Sequence, residues 1–459
     1  MENQASTTAY KAHIIVLPFY AQGHINPVLQ IAKRFASKVI KITVASLASV
    51  GSAVHHESFS FEPIYDDYKE GGYAGPGGYK GFVQRFDATA PVNLIQVIKK
   101  LGQTKHPVKC LLYDQSVSWA IDIAKQQGLA SFAFFTMCCT MIASLYPLYH
   151  ELVNEPLPIS SFPLPDLPEM RSPYVPSMGS TTSRFSPLVR TLVEQIKDIG
   201  RADRVLFNTY YELEQEVVKW MSNLWNVRTV GPTVPSFYLD KRIENDIAHG
   251  FNMYKQSDDQ DYMKWLSSQD TGSVIYVSFG SGSVISSEQM AEIAEALRRS
   301  TKNFLWVVRE TEQHMLPKNF AIETLDKGLV IPWCSQLEVL DHLSIGCFLT
   351  HCGWNSTLEA MSLGVPMVAI PQILDQTTNA YCVERMWGVG IIPKAGNGDN
   401  SQGFLIAAGE ILRCIKEVMD GGNDIKENAV KKKLANEAVN EGGSSDLNFG
   451  EIITFLVDL

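Results

Sequence analysis

Apolar runs of strand length recur along this chain, each followed by a stretch with helical periodicity, in two series separated by one break. In the first series AHIIVLPF (12–19), IKITVAS (40–46), KCLLYD (109–114), SFAFFT (131–136) and RVLFNT (204–209) read as strands. NPVLQIAKRFAS (26–37) and SVSWAIDIAKQQG (116–128) read as helices between them. Runs that are apolar at successive rather than alternate positions are buried on both faces. Alternation with helices then indicates a parallel sheet covered on both sides. The second series holds strands in GSVIYVSFGS (272–281), NFLWVVR (303–309), GLVIPW (328–333), CFLTH (347–351) and PMVAIP (366–371), with a helix in SSEQMAEIAEALRRS (286–300). Between the series, over 227–261, the periodicity fails and Pro, Gly and charges accumulate.

A chain of 459 residues is too long for one core. The expected fold is therefore α/β, with two facing, Rossmann-like, doubly wound domains at 1–240 and 261–445 joined by a linker at 241–260. The apolar tail, 446–459, is expected to be a helix that docks back on the first domain. Sheets of this kind bind ligands beyond the carboxyl ends of their strands.

Composition narrows the partners. Lys and Arg number 39 against 49 Asp and Glu, a net charge of −10, which argues against nucleic acid or an anionic membrane. No apolar stretch approaches the length of a membrane span. The start, MENQASTTAYKAHIIVLPF, lacks the basic lead and long apolar core of a signal peptide. The 8 cysteines form no C-x-x-C pair and mostly lie in apolar runs, as buried free thiols of a reducing compartment do. A soluble, cytoplasmic monomer is expected.

Two strand-to-helix junctions in the second series lack bulk. VSFGSGSVISSEQ (277–289) and THCGWNSTLEA (350–360) each end a strand in a Gly-bearing turn and open a helix. Glycine lets backbone N–H groups approach a phosphate, and a helix N-terminus adds a favourable dipole. Two such ends together suit a diphosphate. The same residues also fit plain capping, since Ser356 with Glu359, and Ser286 with Gln289, match the S-x-x-E/Q capping box.

The wider stretch WCSQLEVLDHLSIGCFLTHCGWNSTLEAMSLGVPMVAIPQILDQ (333–376) closely resembles the donor-binding signature of plant family-one UDP-sugar glycosyltransferases. Trp333, Gln336, His351, Gly353, Trp354, Asn355, Ser356, Glu359, Pro366, Asp375 and Gln376 all stand at that family's spacing, and the two-domain layout follows it over nearly the whole chain. The resemblance implies a GT-B fold with the active site in the interdomain cleft. It also implies that Trp333 stacks on uracil, as aromatic rings do on base faces. Gln336 and Glu359 are to bond the ribose. His351, Gly353, Asn355, Ser356 and the turn ending at Ser281 are to hold the diphosphate. Trp354, Asp375 and Gln376 are to contact the sugar, with Thr136 touching it from the first domain. A final Gln in this family usually accompanies glucose, so UDP-glucose is the expected donor substrate, with no metal or other cofactor. The chain departs from the family pattern at Ser335, commonly Pro, and at Ile373 and Leu374, commonly Trp followed by Ser or Thr.

His24 stands after the first strand, in the loop before a helix that Asn26 caps and Pro27 opens. Asp114 ends the strand CLLYD. A histidine near neutral pKa takes a proton from an acceptor hydroxyl, and a neighbouring Asp fixes its tautomer. Each residue also has a plain structural reading, Asp114 as cap for a helix at 116. The family's catalytic His and Asp occupy these same places. The mechanism implied is direct displacement at the anomeric carbon, inverting an α-linkage to β.

Acceptor contacts are expected from first-domain loops at 63–86, 137–141 and 161–185, rich in Tyr, Phe, Met and Pro. The candidates are Phe19, Tyr20, Tyr79, Phe82, Met137, Met178 and Phe185. These favour a lipophilic acceptor of plant secondary metabolism, first a steroid or terpenoid alcohol. Glucosyl ester or thioglucoside formation on a phenolic acid, an auxin-like acid or a thiohydroximate is the alternative. A catalytically silent nucleotide-sugar binder and a UDP-sugar epimerase are the rivals. A nicotinamide dehydrogenase is not supported, since YAQGHINP is no G-x-G-x-x-G turn.

Overall fold

The computed structural model describes residues 10–53, 59–68, 72–153, 187–253, 261–394, 405–421 and 432–459. Packing divides the chain into two compact units. One comprises Met1–Thr136, Glu194–Asn252 and Ala438–Leu459, and the other Met137–Val193 and Met253–Glu437.

The first unit is built on β1 (Ala12–Leu17), β2 (Ile40–Leu47), β3 (Phe59–Ile64), β4 (Cys110–Asp114), β5 (Ala130–Phe135), β6 (Arg204–Phe207) and β7 (Val227–Thr229). They form one parallel sheet in the order β3-β2-β1-β4-β5-β6-β7. Every residue of β1 and β4 is buried, as their unbroken apolar runs require. The strand order reverses between β1 and β4, which are paired with Leu17 opposite Tyr113. The loops leaving these two strands therefore diverge and open a crevice at their carboxyl ends.

The second unit repeats the design with β8 (Val274–Ser278), β9 (Asn303–Val307), β10 (Gly328–Ile331), β11 (Ile345–Thr350), β12 (Met367–Ala369) and β13 (Gly390–Ile391), in the order β10-β9-β8-β11-β12-β13. Its reversal lies between β8 and β11, where Ser278 is opposite Thr350.

Several local expectations are corrected. The helix after β1 runs Gln22–Ser37, so Asn26 and Pro27 lie inside it rather than at its start, and Asn26 is buried. Ser286 does cap its helix, Ser287–Arg299, accepting the Gln289 N–H at 3.1 Å. The region 63–86 is no simple loop, because a helix, Gly78–Gly102, begins within it despite Pro91. The nominal linker is firmly held through its described part. Lys33 Nζ lies 2.7 Å from Asp246 Oδ1 and 2.7 Å from the Ala248 carbonyl, and Arg34 pairs with Asp240 at 2.8 Å. All four charged side chains are largely buried, so losing one partner would strand a charge. Residues 254–260 of that linker lie outside the described residues.

The terminal helix, Ser444–Asp458, packs within the first unit. Phe449 meets Phe35 edge-on at 5.2 Å, Asn448 donates to the Thr229 carbonyl at 2.8 Å, and Glu451 pairs with Arg228 at 2.6 Å. All eight cysteines are free and buried. No helix among the described residues is long and apolar enough to cross a membrane.

His13 on β1 is a buried polar group that the sheet satisfies. Its Nδ1 donates to the His106 carbonyl at 2.7 Å, and Nε2 accepts from the Thr43 hydroxyl at 2.8 Å. Burial pulls its pKa from 6.5 down to about 4. The unfolded chain therefore takes up this proton first as pH falls. The stabilisation is complete above pH 6.5 and drains away toward pH 4. His13→Gln is expected to flatten this acid limb in a series of Tm measurements against pH.

Candidate active site

At the switch point of the first sheet, the helix Gln22–Ser37 places His24 in its first turn and β4 delivers Asp114. His24 Nδ1 lies 2.8 Å from Asp114 Oδ2. The carboxylate is fully buried, whereas the imidazole keeps 27% of its side chain exposed. An ionised carboxylate only accepts, so Nδ1 carries the hydrogen and Nε2 is left as the basic nitrogen. Asp114 Oδ1 accepts the Ser116 N–H at 2.8 Å. It caps no helix, since the next one starts at Ala120. Thr136, expected at the sugar, stands against the pair with Oγ1 3.3 Å from His24 Nδ1. It is steadied by two hydrogen bonds with Gln115, at 3.0 and 3.1 Å.

An aromatic cluster adjoins the imidazole. Phe19 meets His24 edge-on at 5.5 Å and contacts Tyr79 and Phe82 at 6.2 and 6.0 Å. Tyr20 packs on Phe82 at 5.6 Å. Phe82 is fully buried, so it backs the cluster, while Tyr79 is 60% exposed and supplies its face. Sequence reading missed Tyr73, Phe86, Trp119 and Asp87, which extend the cluster. Asp87 accepts from Trp119 Nε1 at 3.0 Å, and its carboxyl pKa is raised by burial. Of these only Phe86 left a signal, its i, i+4 apolar spacing from Phe82, hidden by the glycines upstream. Met137 is buried and packs with the second unit. Met178 and Phe185 lie outside the described residues.

In the second unit, the turns after β8 and β11 meet around one imidazole. His351 is buried against Gly280, where an added Cβ would lie 2.8 Å from its Nε2, and against Gly353, where it would lie 2.5 Å away. Gly280 also has φ +71°, and Cys352 holds φ +58° between the histidine and Gly353. Burial lowers the His351 pKa to about 4, with a hydrogen bond to the Ser278 backbone opposing and the Arg309 charge adding. This histidine is therefore neutral at physiological pH and acts as a hydrogen-bonding group.

The fixed positive charge nearby belongs to Arg309, which the sequence reading overlooked. Its guanidinium donates to the carbonyls of Ser281 and Ser283 and pairs with Glu312, lashing down the turn after β8.

The helix Trp354–Leu363 begins directly after Gly353, so Ser356 is its third residue and the capping-box reading fails. Ser356 and Glu359 instead accept from Gln336 Nε2 at 2.9 and 2.7 Å, while Gln336 Oε1 accepts from Tyr276 at 3.3 Å. Asn355, one residue earlier, lies in the first turn of this helix. Trp333 is half-buried beyond β10, and Trp354 packs on Trp387 at 5.9 Å. Gln376 turns the loop ahead of it inward. Its Oε1 accepts the N–H groups of Gln372 and Ile373 at 2.8 and 3.0 Å, and Nε2 donates to Ser283 at 3.0 Å. That loop carries Leu374 at φ +59°. Asp375 accepts from Asn379 at 2.7 Å. Among the described residues, no group of three His, Cys, Asp or Glu is arranged to hold a metal ion.

A family model described as UDP-glucoronosyl and UDP-glucosyl transferase matches residues 243–431. The chain is 40% identical over 455 residues to UDP-glycosyltransferase 74E2 of Arabidopsis thaliana, covering 96% of this chain and 98% of that one. It is 40% identical over 453 residues to Mogroside I-E synthase of Siraitia grosvenorii, covering 97% and 98%. The crystal structure of Os79 from O. sativa in complex with UDP superposes with a TM-score of 0.84 at 32% identity, over 96% of this chain and 100% of that one. Os79 has also been solved in complex with U2F and trichothecene.

Proposed function

This chain belongs to the plant family-one UDP-sugar glycosyltransferases and is a glycosyltransferase, and from that premise we propose that it moves glucose from UDP-glucose to a hydroxyl of a lipophilic plant small molecule, giving a β-glucoside. The observation that carries the reading is the His24–Asp114 pair, a buried carboxylate orienting a partly exposed imidazole. His24 Nε2 takes the proton of the acceptor hydroxyl as its oxygen attacks the anomeric carbon. The bond from that carbon to the UDP oxygen breaks, and inversion converts the α-linkage to β. Asp114 stabilises the imidazolium that forms.

The leaving diphosphate is met by backbone N–H groups of the turns at Ser281 and Gly353, by Asn355 and Ser356, and by His351 as neutral donor, so the reading assigns no metal or cofactor. Trp333 stacks on uracil, Gln336 and Glu359 bond the ribose, and Trp354, Asp375 and Gln376 hold the sugar. A steroid or terpenoid alcohol is the favoured acceptor. The support is the exposed Tyr79 ring, backed by Phe19 beside His24, together with the trichothecene and mogroside in the names given to related proteins and structures.

The test is mass spectrometry of purified protein with UDP-glucose and a pooled panel of steroid, terpenoid and phenolic alcohols and of acids. UDP-galactose and UDP-xylose serve as matched donors. A hexosylated alcohol with UDP-glucose is expected. Donor turnover without any acceptor would instead favour hydrolysis or epimerisation.

Glu359→Ala is expected to weaken UDP binding about tenfold to a hundredfold in calorimetry. A hydrogen bond to a charged acceptor is worth about 1.5–3 kcal/mol. Because Glu359 caps no helix, little of the effect should come from helix stability.

A further inference from the structure

Three segments of the second unit are tied together by one side chain. Asn379 lies in the helix Gln376–Tyr381 and is fully buried. Its Nδ2 donates to Asp375 Oδ2 at 2.7 Å and to the Cys352 carbonyl at 2.9 Å, and its Oδ1 accepts from the Cys138 thiol at 3.3 Å. A carboxylate and a carbonyl can only accept, so the chemistry of the partners fixes which end of the amide faces them. We infer that Asn379 is a positioning residue for sugar recognition, setting the plane of the Asp375 carboxylate before the donor binds. The inference rests on the proposed role of Asp375 at the donor sugar.

The physical case starts from the carboxylate. Asp375 follows Leu374, whose backbone is in the left-handed region, so the chain bends sharply just before the residue whose Oδ2 Asn379 holds. Cys352 is likewise left-handed, and its carbonyl, by accepting the second Nδ2 hydrogen at 2.9 Å, fixes the orientation of the Asn379 amide. A bond from a buried amide to a carboxylate is charge-assisted and short, as the 2.7 Å separation shows. The Cys138 contact adds a third anchor from Met137–Val193, the segment that packs with this unit although the sequence pattern joined it to the first domain. A fully satisfied buried network of this kind gives rigidity, which a site that must hold a sugar needs before the ligand arrives.

The test compares UDP with UDP-glucose, because only the latter carries the sugar. Asn379→Asp keeps the shape and replaces the donor by an oxygen that faces Asp375. It is expected to raise KM for UDP-glucose or lower kcat by about tenfold, the worth of a charge-assisted hydrogen bond, while the Kd for UDP moves less than about twofold. Cys138→Ala removes a sulfur that donates to Asn379 and also accepts the Met141 N–H at 3.2 Å; it should shift the same ratio in the same direction by a smaller factor, with Cys138→Ser, which keeps both a donor and an acceptor, restoring it. That pair keeps the inference testable should Asn379→Asp fail to fold. Asp375→Ala is run alongside. If it impairs donor use while the Asn379 and Cys138 variants behave as wild type, the positioning role is wrong. Equal weakening of UDP and UDP-glucose would show a merely structural residue and also overturn it. If Asp375→Ala itself leaves donor kinetics unchanged, the sugar reading of Asp375 falls, and this inference falls with it.

Discussion

His24→Ala is expected to lower kcat for transfer to an alcohol by about 10²–10⁴-fold, the usual contribution of a positioned general base, while leaving the Kd for UDP within about twofold of wild type. The two effects separate because His24 and the turns proposed to hold UDP belong to different compact units. Asp114→Asn should follow the same pattern. An amide at that position presents an N–H to the imidazole, selecting the wrong tautomer and removing the compensating charge. The choice of acceptor sharpens the test. A carboxylic acid with an ordinary pKa near 4 is already ionised at neutral pH and needs no base. Transfer to an acid should therefore survive His24→Ala far better than transfer to an alcohol. Steady-state kinetics with one acceptor of each kind would read this directly. An alcohol rate above about a tenth of wild type would remove His24 from the mechanism.

The sequence reached the site more easily than the local structure that builds it. Buried parallel strands announce themselves by unbroken apolar runs, so the cores of β1, β4, β8 and β11, and hence the crevices beside them, were legible from residue type alone. His24 and Asp114 could be placed at strand ends for that reason.

Helix starts were less legible. Asn26-Pro27 is a strong start signal, yet the helix begins at Gln22, because the packing of its face outweighs an internal proline. The capping-box pattern at Ser356 was outvoted in a different way. Gly353 brings the backbone into the helix three residues sooner, and Gln336, arriving from another segment, claims both side chains.

Arg309, Asn379, Tyr73 and Trp119 had no local signature at all. Each acts through partners distant in sequence. Arg309 grips carbonyls at 281 and 283, and Asn379 reaches 138 and 352. Only the folded register makes these pairings visible.

The second large effect is expected at Gly280. Alanine there meets two obstacles at once. The backbone has φ +71°, a left-handed conformation that costs a side-chain-bearing residue about 1–2 kcal/mol. The new Cβ would also stand 2.8 Å from both Cε1 and Nε2 of His351. That ring cannot simply move aside, because Gly353 closes on it from the other turn, where a Cβ would lie 2.5 Å from Nε2. Relief must come from displacing one of the two turns that the proposed diphosphate site needs. Gly280→Ala should therefore weaken UDP binding at least tenfold, with loss of Tm. Gly353→Ala meets the ring without the left-handed penalty and should fall short of it. Gly282 supplies the control. It lies in the same loop, two residues on, and a Cβ there meets nothing within 4 Å, so Gly282→Ala should bind UDP nearly as wild type does. Calorimetric titration of UDP into the three variants gives the ranking. Equal affinities for Gly280→Ala and Gly282→Ala would mean that the imidazole sandwiched between the two turns has no part in holding the nucleotide.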